Sequence, residues 1–239
     1  MNKLSQKLFY QYPPLIEGVL IKRYKRFMAD IQLNNGEIIT AHCPNTGPMT
    51  GVCQPGSKVQ ISPSNNPKRK LAYTWEMIFI DNVWVGVNTS LPNQVVKLAL
   101  ENKLFPELDY TTIKPEFAIE KDKKSRLDFF LSGGENDIYL EVKNTTWTNN
   151  NIALFPDTVT TRGQKHLREL MDLLAVAKPV MLYFINRGDC DQFKPGDEAD
   201  PEYGRLLREA IKLGVKILPC RFNITPQGIE YLGLAKLAF

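Results

Sequence analysis

Apolar and polar residues alternate in short bursts through the first third of the chain, the period-two pattern of half-buried strands. A strand-like run at Leu15–Lys22 is followed by Phe27–Leu33, where Ala29, Ile31 and Leu33 alternate with Met28, Asp30 and Gln32. Asn34-Asn35-Gly36 is a hairpin turn signal, and Glu37–Cys43 resumes the strand. A loop dense in breakers, Pro44–Gly51, comes next. Lys58–Ser62 and Leu71–Ile80 complete the series, with the polar stretch Pro63–Lys70 between them. About five short strands without a convincing helix predict a small closed β-barrel of the OB or SH3-like type.

The period changes near Val85. Between Pro92 and Phe105 the apolar positions 95, 98 and 99 take helical spacing. Strand-like segments follow at Thr112–Ile119, Arg126–Ser132 and Ile138–Asn144. Leu167, Leu170, Met171 and Leu174 form the stripe of a second helix. Val180–Ile185 is continuously apolar, as a strand covered on both faces must be. Pro201–Leu213 is a third helix, with proline at its start and Gly214 just past its end, and Val215–Pro219 a further buried strand. The long polar segment Thr145–Pro156 reads as a mobile loop. The expected fold is α+β: an OB-like barrel over residues 1–85, then an α/β domain over 86–239 with a mixed sheet flanked by helices.

Charge sharpens this division. Residues 1–85 hold 10 Lys+Arg against 5 Asp+Glu, a net +5, within a chain whose total is +4. A basic module of this kind suits a polyanion. Lys22, Arg23, Lys25 and Arg26 cluster beside Tyr24 and Phe27, and Lys68, Arg69 and Lys70 precede Tyr73 and Trp75. Cations among aromatic rings suit single-stranded nucleic acid, although the same residues also describe a barrel core with solvated lysines. The cysteines, Cys43, Cys53, Cys190 and Cys220, contain no C-x-x-C pair, and His42 and His166 are the only histidines, which leaves little for a zinc site. Reduced thiols, an opening segment without a signal-peptide core and strand-sized apolar runs together predict a cytoplasmic protein that spans no membrane.

The α/β domain carries the candidate chemistry. Asp128 shares a strand face with Arg126, and Glu141 shares one with Lys143 on the following strand. The turn-rich connection between those strands makes them antiparallel neighbours, so Asp128, Glu141 and Lys143 converge. Two carboxylates suit Mg²⁺ or Mn²⁺, with an amine beside them to orient water or stabilise phosphate oxygens. The plainer alternative is a solvated ion pair on a strand face. Glu101 on the first helix is the candidate third acid, and Asp157 a further acidic group near the site. Thr160 or Thr161 caps the second helix, whose opening turns carry Arg162, Lys165 and His166, a setting for a phosphate or simply an exposed basic face.

Asp128 followed by Glu141-Val142-Lys143 resembles the PD-(D/E)xK nuclease superfamily, although Leu127 stands where that pattern has proline. The strings HCPNTGPMTG, SRLDFFL, YLEVKNTT, ALFPDTVTTRGQKHLREL and DPEYGRLLREA resemble the sugar fermentation stimulation protein A family over nearly the whole chain. That resemblance implies an OB-like first half, a nuclease-like second half and sequence-nonspecific DNA binding. By analogy with related nucleases, Gln164 would lie beside the metal site. Three functions are open on this reading: a metal-dependent nuclease, a non-enzymatic DNA-binding regulator of sugar (maltose) metabolism genes that retains the nuclease fold, and an RNA-binding or RNA-processing protein.

Overall fold

The structure, a computed structural model, describes residues 9–118 and 126–239. Ile119, the end of the strand expected from Thr112, lies outside them, as do the first eight residues of the opening segment. After the short β1 (Tyr10–Gln11), the barrel is built from β2 (Ile16–Tyr24), β3 (Met28–Leu33), β4 (Ile38–His42), β5 (Lys58–Pro63) and β6 (Tyr73–Ile80). Antiparallel pairings join β3 to β2 and β4, and β5 to β2 and β6; a parallel β4–β6 pairing closes the ring. Leu20, Ala29, Ile31, Ala41, Val59, Ile61, Trp75 and Ile78 fill it. The strand alternation is therefore what the barrel uses: one residue in two turns inward.

No linker separates the barrel from the second domain. The strand β7 (Val83–Gly86) pairs with β6 and meets a C-terminal strand through Trp84 and Ile224. Gly86 lies against Asn186, whose Oδ1 would stand 2.1 Å from any added Cβ. Helix α1 (Leu91–Glu101) comes next, then β8 (Thr112–Ala118), β9 (Arg126–Ser132) and β10 (Ile138–Thr145). The chain continues through β11 (Trp147–Asn149), β12 (Ile152–Phe155), α2 (Thr161–Asp172) and β13 (Lys178–Ile185). It ends with β14 (Gln192–Pro195), α3 (Pro201–Leu213), β15 (Lys216–Thr225), β16 (Gly228–Leu234) and β17 (Lys236–Leu237).

The domain is a mixed sheet in the order β15-β13-β10-β9-β8, parallel across β15, β13 and β10 and antiparallel beyond. On one face Val95, Val96, Ala99 and Leu100 of α1 pack with Leu140, Val142, Leu182 and Phe184. On the other, Leu167 and Leu170 of α2 and Leu206, Leu207 and Ala210 of α3 pack with Met181 and Tyr183. Central β13 is buried from Pro179 to Ile185, which is why its sequence carries no charged residue after the exposed Lys178. Gly214, at φ 111°, ends α3 in the left-handed conformation open to glycine.

Two expectations need correction. Thr145–Pro156 is not a mobile loop: β11 and β12 form a hairpin, and β12 pairs with β14 and β14 with β17 in a second sheet. The strand expected at Val215–Pro219 runs on to Thr225, where buried Phe222 and Ile224 alternate with half-buried neighbours.

Candidate functional site

The ladder between β9 and β10 pairs Ile138, Tyr139 and Leu140 with Leu131, Phe130 and Phe129, and goes no further. Where it stops, the Asp128 carboxylate substitutes for the missing backbone acceptor: Oδ2 takes the N–H of Val142 at 2.8 Å. Oδ1 takes the side-chain amide of Asn93, from the first turn of α1, at 2.7 Å. Asp128 lies close enough to Glu141 to feel its charge. Lys143, two residues on, shares the Glu141 face. Its Nζ donates to Glu141 Oε1 at 2.5 Å. The Nδ1 of His166, on α2, bonds the same oxygen. Arg162 Nε lies 3.4 Å from His166 Nε2 and Lys143 Nζ 3.1 Å from its Nδ1, so two cations and the Glu141 carboxylate surround the ring.

The two carboxylates titrate in opposite directions. Burial, reinforced by the Glu141 charge, pushes Asp128 up to about 6. Burial alone would raise Glu141 too, but the His166 hydrogen bond and the Lys143 charge bring it below its ordinary value. Glu141 is 3% exposed, and its Oε2 has no hydrogen-bond partner among the described residues. A buried carboxylate oxygen without a donor, with a second carboxyl close enough for its charge to be felt, is a setting that a hard cation would relieve. Among the described residues no group of three or more His, Cys, Asp or Glu side chains stands ready as a metal cage. Asp128 and Glu141 are the two oxygen donors this cluster could offer a hard cation, whose remaining ligands would have to be water or substrate oxygens.

Other expected members fall elsewhere. Glu101 is at the far end of α1, eight residues or about 12 Å along the axis from Asn93. It is exposed and pairs with Lys97 at 3.7 Å, so α1 serves the site through Asn93 instead. Gln164 donates its amide to both oxygens of Asp200 at 3.0 Å, tying α2 to the start of α3. Asp200 also caps α3 through the Tyr203 N–H and accepts from the Thr160 N–H. Thr160, rather than Thr161, caps α2. His166 is not on an exposed DNA-facing surface: it is 3% exposed, against Glu141. Arg162 and Lys165 are exposed, with Lys165 3.3 Å from Glu169.

The barrel cations also divide. Arg23 donates to the carbonyls of Arg26, Asn45 and Gly47, so it braces the Pro44–Gly51 loop and is not free for phosphate. Arg69 donates to Thr74, and Lys22 lies 3.6 Å from Asp30. Lys25, Arg26, Lys68 and Lys70 are exposed. Strand register brings the two clusters together: Tyr24 pairs with Met28, Met28 with His42, His42 with Thr74 and Thr74 with Ser62. That rung crosses one rim, and both the 25–27 turn and the 64–72 loop lie just beyond it. The Pro44–Gly51 loop leaves the same rim and touches the second domain, through the Thr89 hydroxyl to Pro44 O and the Thr50 N–H to Asp157.

Comparison with known proteins bears on this architecture. The model "SfsA N-terminal OB domain" matches residues 21–87, and "Sugar fermentation stimulation protein RE domain" matches residues 90–228. The chain belongs to the sugar fermentation stimulation protein family. Its relatives include sugar fermentation stimulation protein homologs from Rippkaea orientalis, 66% identical over 98% of both chains, and from a Nostoc species, 68% identical over 95% of this chain and 97% of the relative. A solved structure described as Pyrococcus furiosus SfsA in complex with Ca²⁺ has a TM-score of 0.89 at 24% identity, covering 98% of this chain and 100% of that one. The OB barrel and the restriction-endonuclease-like domain are thus the family's architecture. No helix among the described residues is long and apolar enough to cross a membrane.

Proposed function

We propose that this member of the sugar fermentation stimulation protein family binds nucleic acid, DNA in the first instance, and hydrolyses its phosphodiester bonds with a divalent cation. The reading is carried by one observation: Glu141 Oε2 is buried without a partner beside a carboxyl that burial and the Glu141 charge hold up at about 6. Asp128 and Glu141 would hold the cation, which supplies an activated water and offsets charge on the phosphate. Asn93 and the Val142 N–H fix the Asp128 carboxylate in orientation. His166 fixes Glu141, and Lys143 supplies a positive amine at the place where phosphate oxygens would lie. The exposed cations of the barrel rim add affinity without reading sequence. The neighbour described with Ca²⁺ is consistent with an oxygen-rich cation site in this fold.

The test is direct. Purified protein is incubated with single-stranded, duplex and branched DNA, and with RNA, in Mg²⁺, Mn²⁺ or chelator. Cutting that needs metal, and that Asp128→Ala abolishes while binding survives, is the expected result. Mn²⁺ should also raise the melting temperature of the wild type and leave that of Asp128→Ala unmoved. A second reading rests on a different observation: Lys143 and His166 already satisfy Glu141 Oε1. If the cluster is a finished ionic network, the protein binds nucleic acid as a regulator and cuts nothing in any metal. RNA bound or cut in preference to DNA would redirect either reading to RNA.

A further inference from the structure

Beyond Lys143 the strand β10 ends in a cleft of about 170 Å³ between the two modules. Asn45 of the braced loop and Thr89 line one side; Thr145, Trp147, Phe155 and Asp157 line the other. Nothing in its described lining carries a positive charge, so it is not a phosphate seat. It offers instead an indole, a phenyl ring, neutral hydrogen-bonding groups and one carboxylate. Thr145 is 1% exposed, and its Oγ1 has no hydrogen-bond partner among the described residues. A buried hydroxyl without a partner is costly, and it belongs here to a residue of the cleft wall. Asp157 gives one oxygen to the Thr50 N–H at 3.3 Å, which leaves the rest of its carboxylate able to accept.

Position decides what could fill it. Thr145 is two residues past Lys143 on the same strand face, roughly 7 Å away at strand rise. That is about the spacing between successive groups along a nucleic-acid backbone. We propose that the inter-module cleft seats one unpaired nucleobase of the strand whose phosphate lies at Lys143, with Trp147 against its face and Asp157 and Thr145 at its edge. This inference rests on the nucleic-acid reading above and adds a specificity to it. A carboxylate accepts from N–H donors, so the cleft favours bases that present them. Guanine comes first, because its ring N–H and exocyclic amine can both donate to one carboxylate. Thymine, with carbonyls flanking a single N–H, is the poorest fit. The site requires a base out of its stack, so single-stranded or splayed substrates are preferred over intact duplex.

The experiment measures binding of labelled (dT)10 and of the same strand with one central guanine or hypoxanthine, in chelator, by fluorescence anisotropy. The guanine strand should bind roughly fivefold more tightly than (dT)10, the size of one modest base-edge contact. The hypoxanthine strand, which lacks the exocyclic amine, should fall between. Asp157→Asn, which keeps an oxygen for Thr50, should bring the ratio below roughly twofold, and Trp147→Leu should weaken the guanine strand most. Equal affinity of the wild type for all three strands overturns the subsite while leaving the nucleic-acid reading in place. So does a preference that persists through both substitutions. Failure to bind any strand, even at low salt, overturns the underlying reading together with the subsite.

Discussion

At the scale of single residues, Asp128 is the group whose environment departs most usefully from the ordinary. Its folded value of about 6 stands above the ordinary 3.8. The folded metal-free protein therefore binds this proton more tightly than the unfolded chain. The favourable contribution is complete below about pH 4 and is lost as pH rises through 6, so the ionised carboxyl destabilises the neutral protein by up to about 3 kcal/mol. Asp128→Asn, which keeps an acceptor for the Val142 N–H, should raise unfolding free energy in chelator at pH 7.5 by about 1–3 kcal/mol. That gain should vanish near pH 4; urea unfolding at the two pH values measures it. Alternation in the sequence places Glu141 and Lys143 on one face, as their hydrogen bond requires. It does not place Asp128, because the alternation on β9 breaks there: Leu127 packs on the α2–α3 side and Phe129 on the α1 side. Asn93 was not legible, because nothing in α1's sequence says which turn of the helix abuts β9. His166 stood out only as one polar residue among basic ones, and its burial against Glu141 comes from the packing of α2 on the sheet.

Elements tell a similar story about partners. Gln164 sits on the helix expected to border the site, but helix position alone does not say which neighbour an amide meets. Here that neighbour is Asp200, whose carboxylate caps α3, accepts the Thr160 N–H and receives Gln164 while 2% exposed. Asp200→Ala would strip a cap and leave buried donors unpaired, and should cost about 2–4 kcal/mol in urea unfolding. Gln164→Ala should cost less, since Asp200 keeps its backbone donors. The helices α1 and α3, buried β13 and all five barrel strands were legible from period and from caps. The β11–β12 hairpin was not. Its polar run Thr148–Asn151 hides a turn at Asn150, φ 55°, and the sheet it forms is completed by β14 and β17 from far along the chain.

For the whole molecule, charge and continuity matter most. The exposed cations of one rim should account for much of the salt dependence of binding. Lys25 and Arg26 sit at φ 48° and 66°, where asparagine is tolerated, so a Lys25→Asn, Arg26→Asn double variant preserves the turn. If both side chains neutralise phosphates on a single strand, the slope of log K against log salt should fall by about 1.4. The Lys68→Gln, Lys70→Gln pair should act alike, because both clusters adjoin one rung of the barrel. Arg187, 2% exposed, joins Asp81 beside β7 to Asp189 and the Thr146 carbonyl of the second domain. Barrel and α/β domain should accordingly melt in a single transition by tryptophan fluorescence and far-ultraviolet circular dichroism; two separated midpoints would contradict this. The shared β6–β7–β15 pairing has a mechanical corollary. Barrel and α/β domain share one sheet through Trp84 and Ile224, so a force drawing them apart would have to break backbone pairing before it could part them.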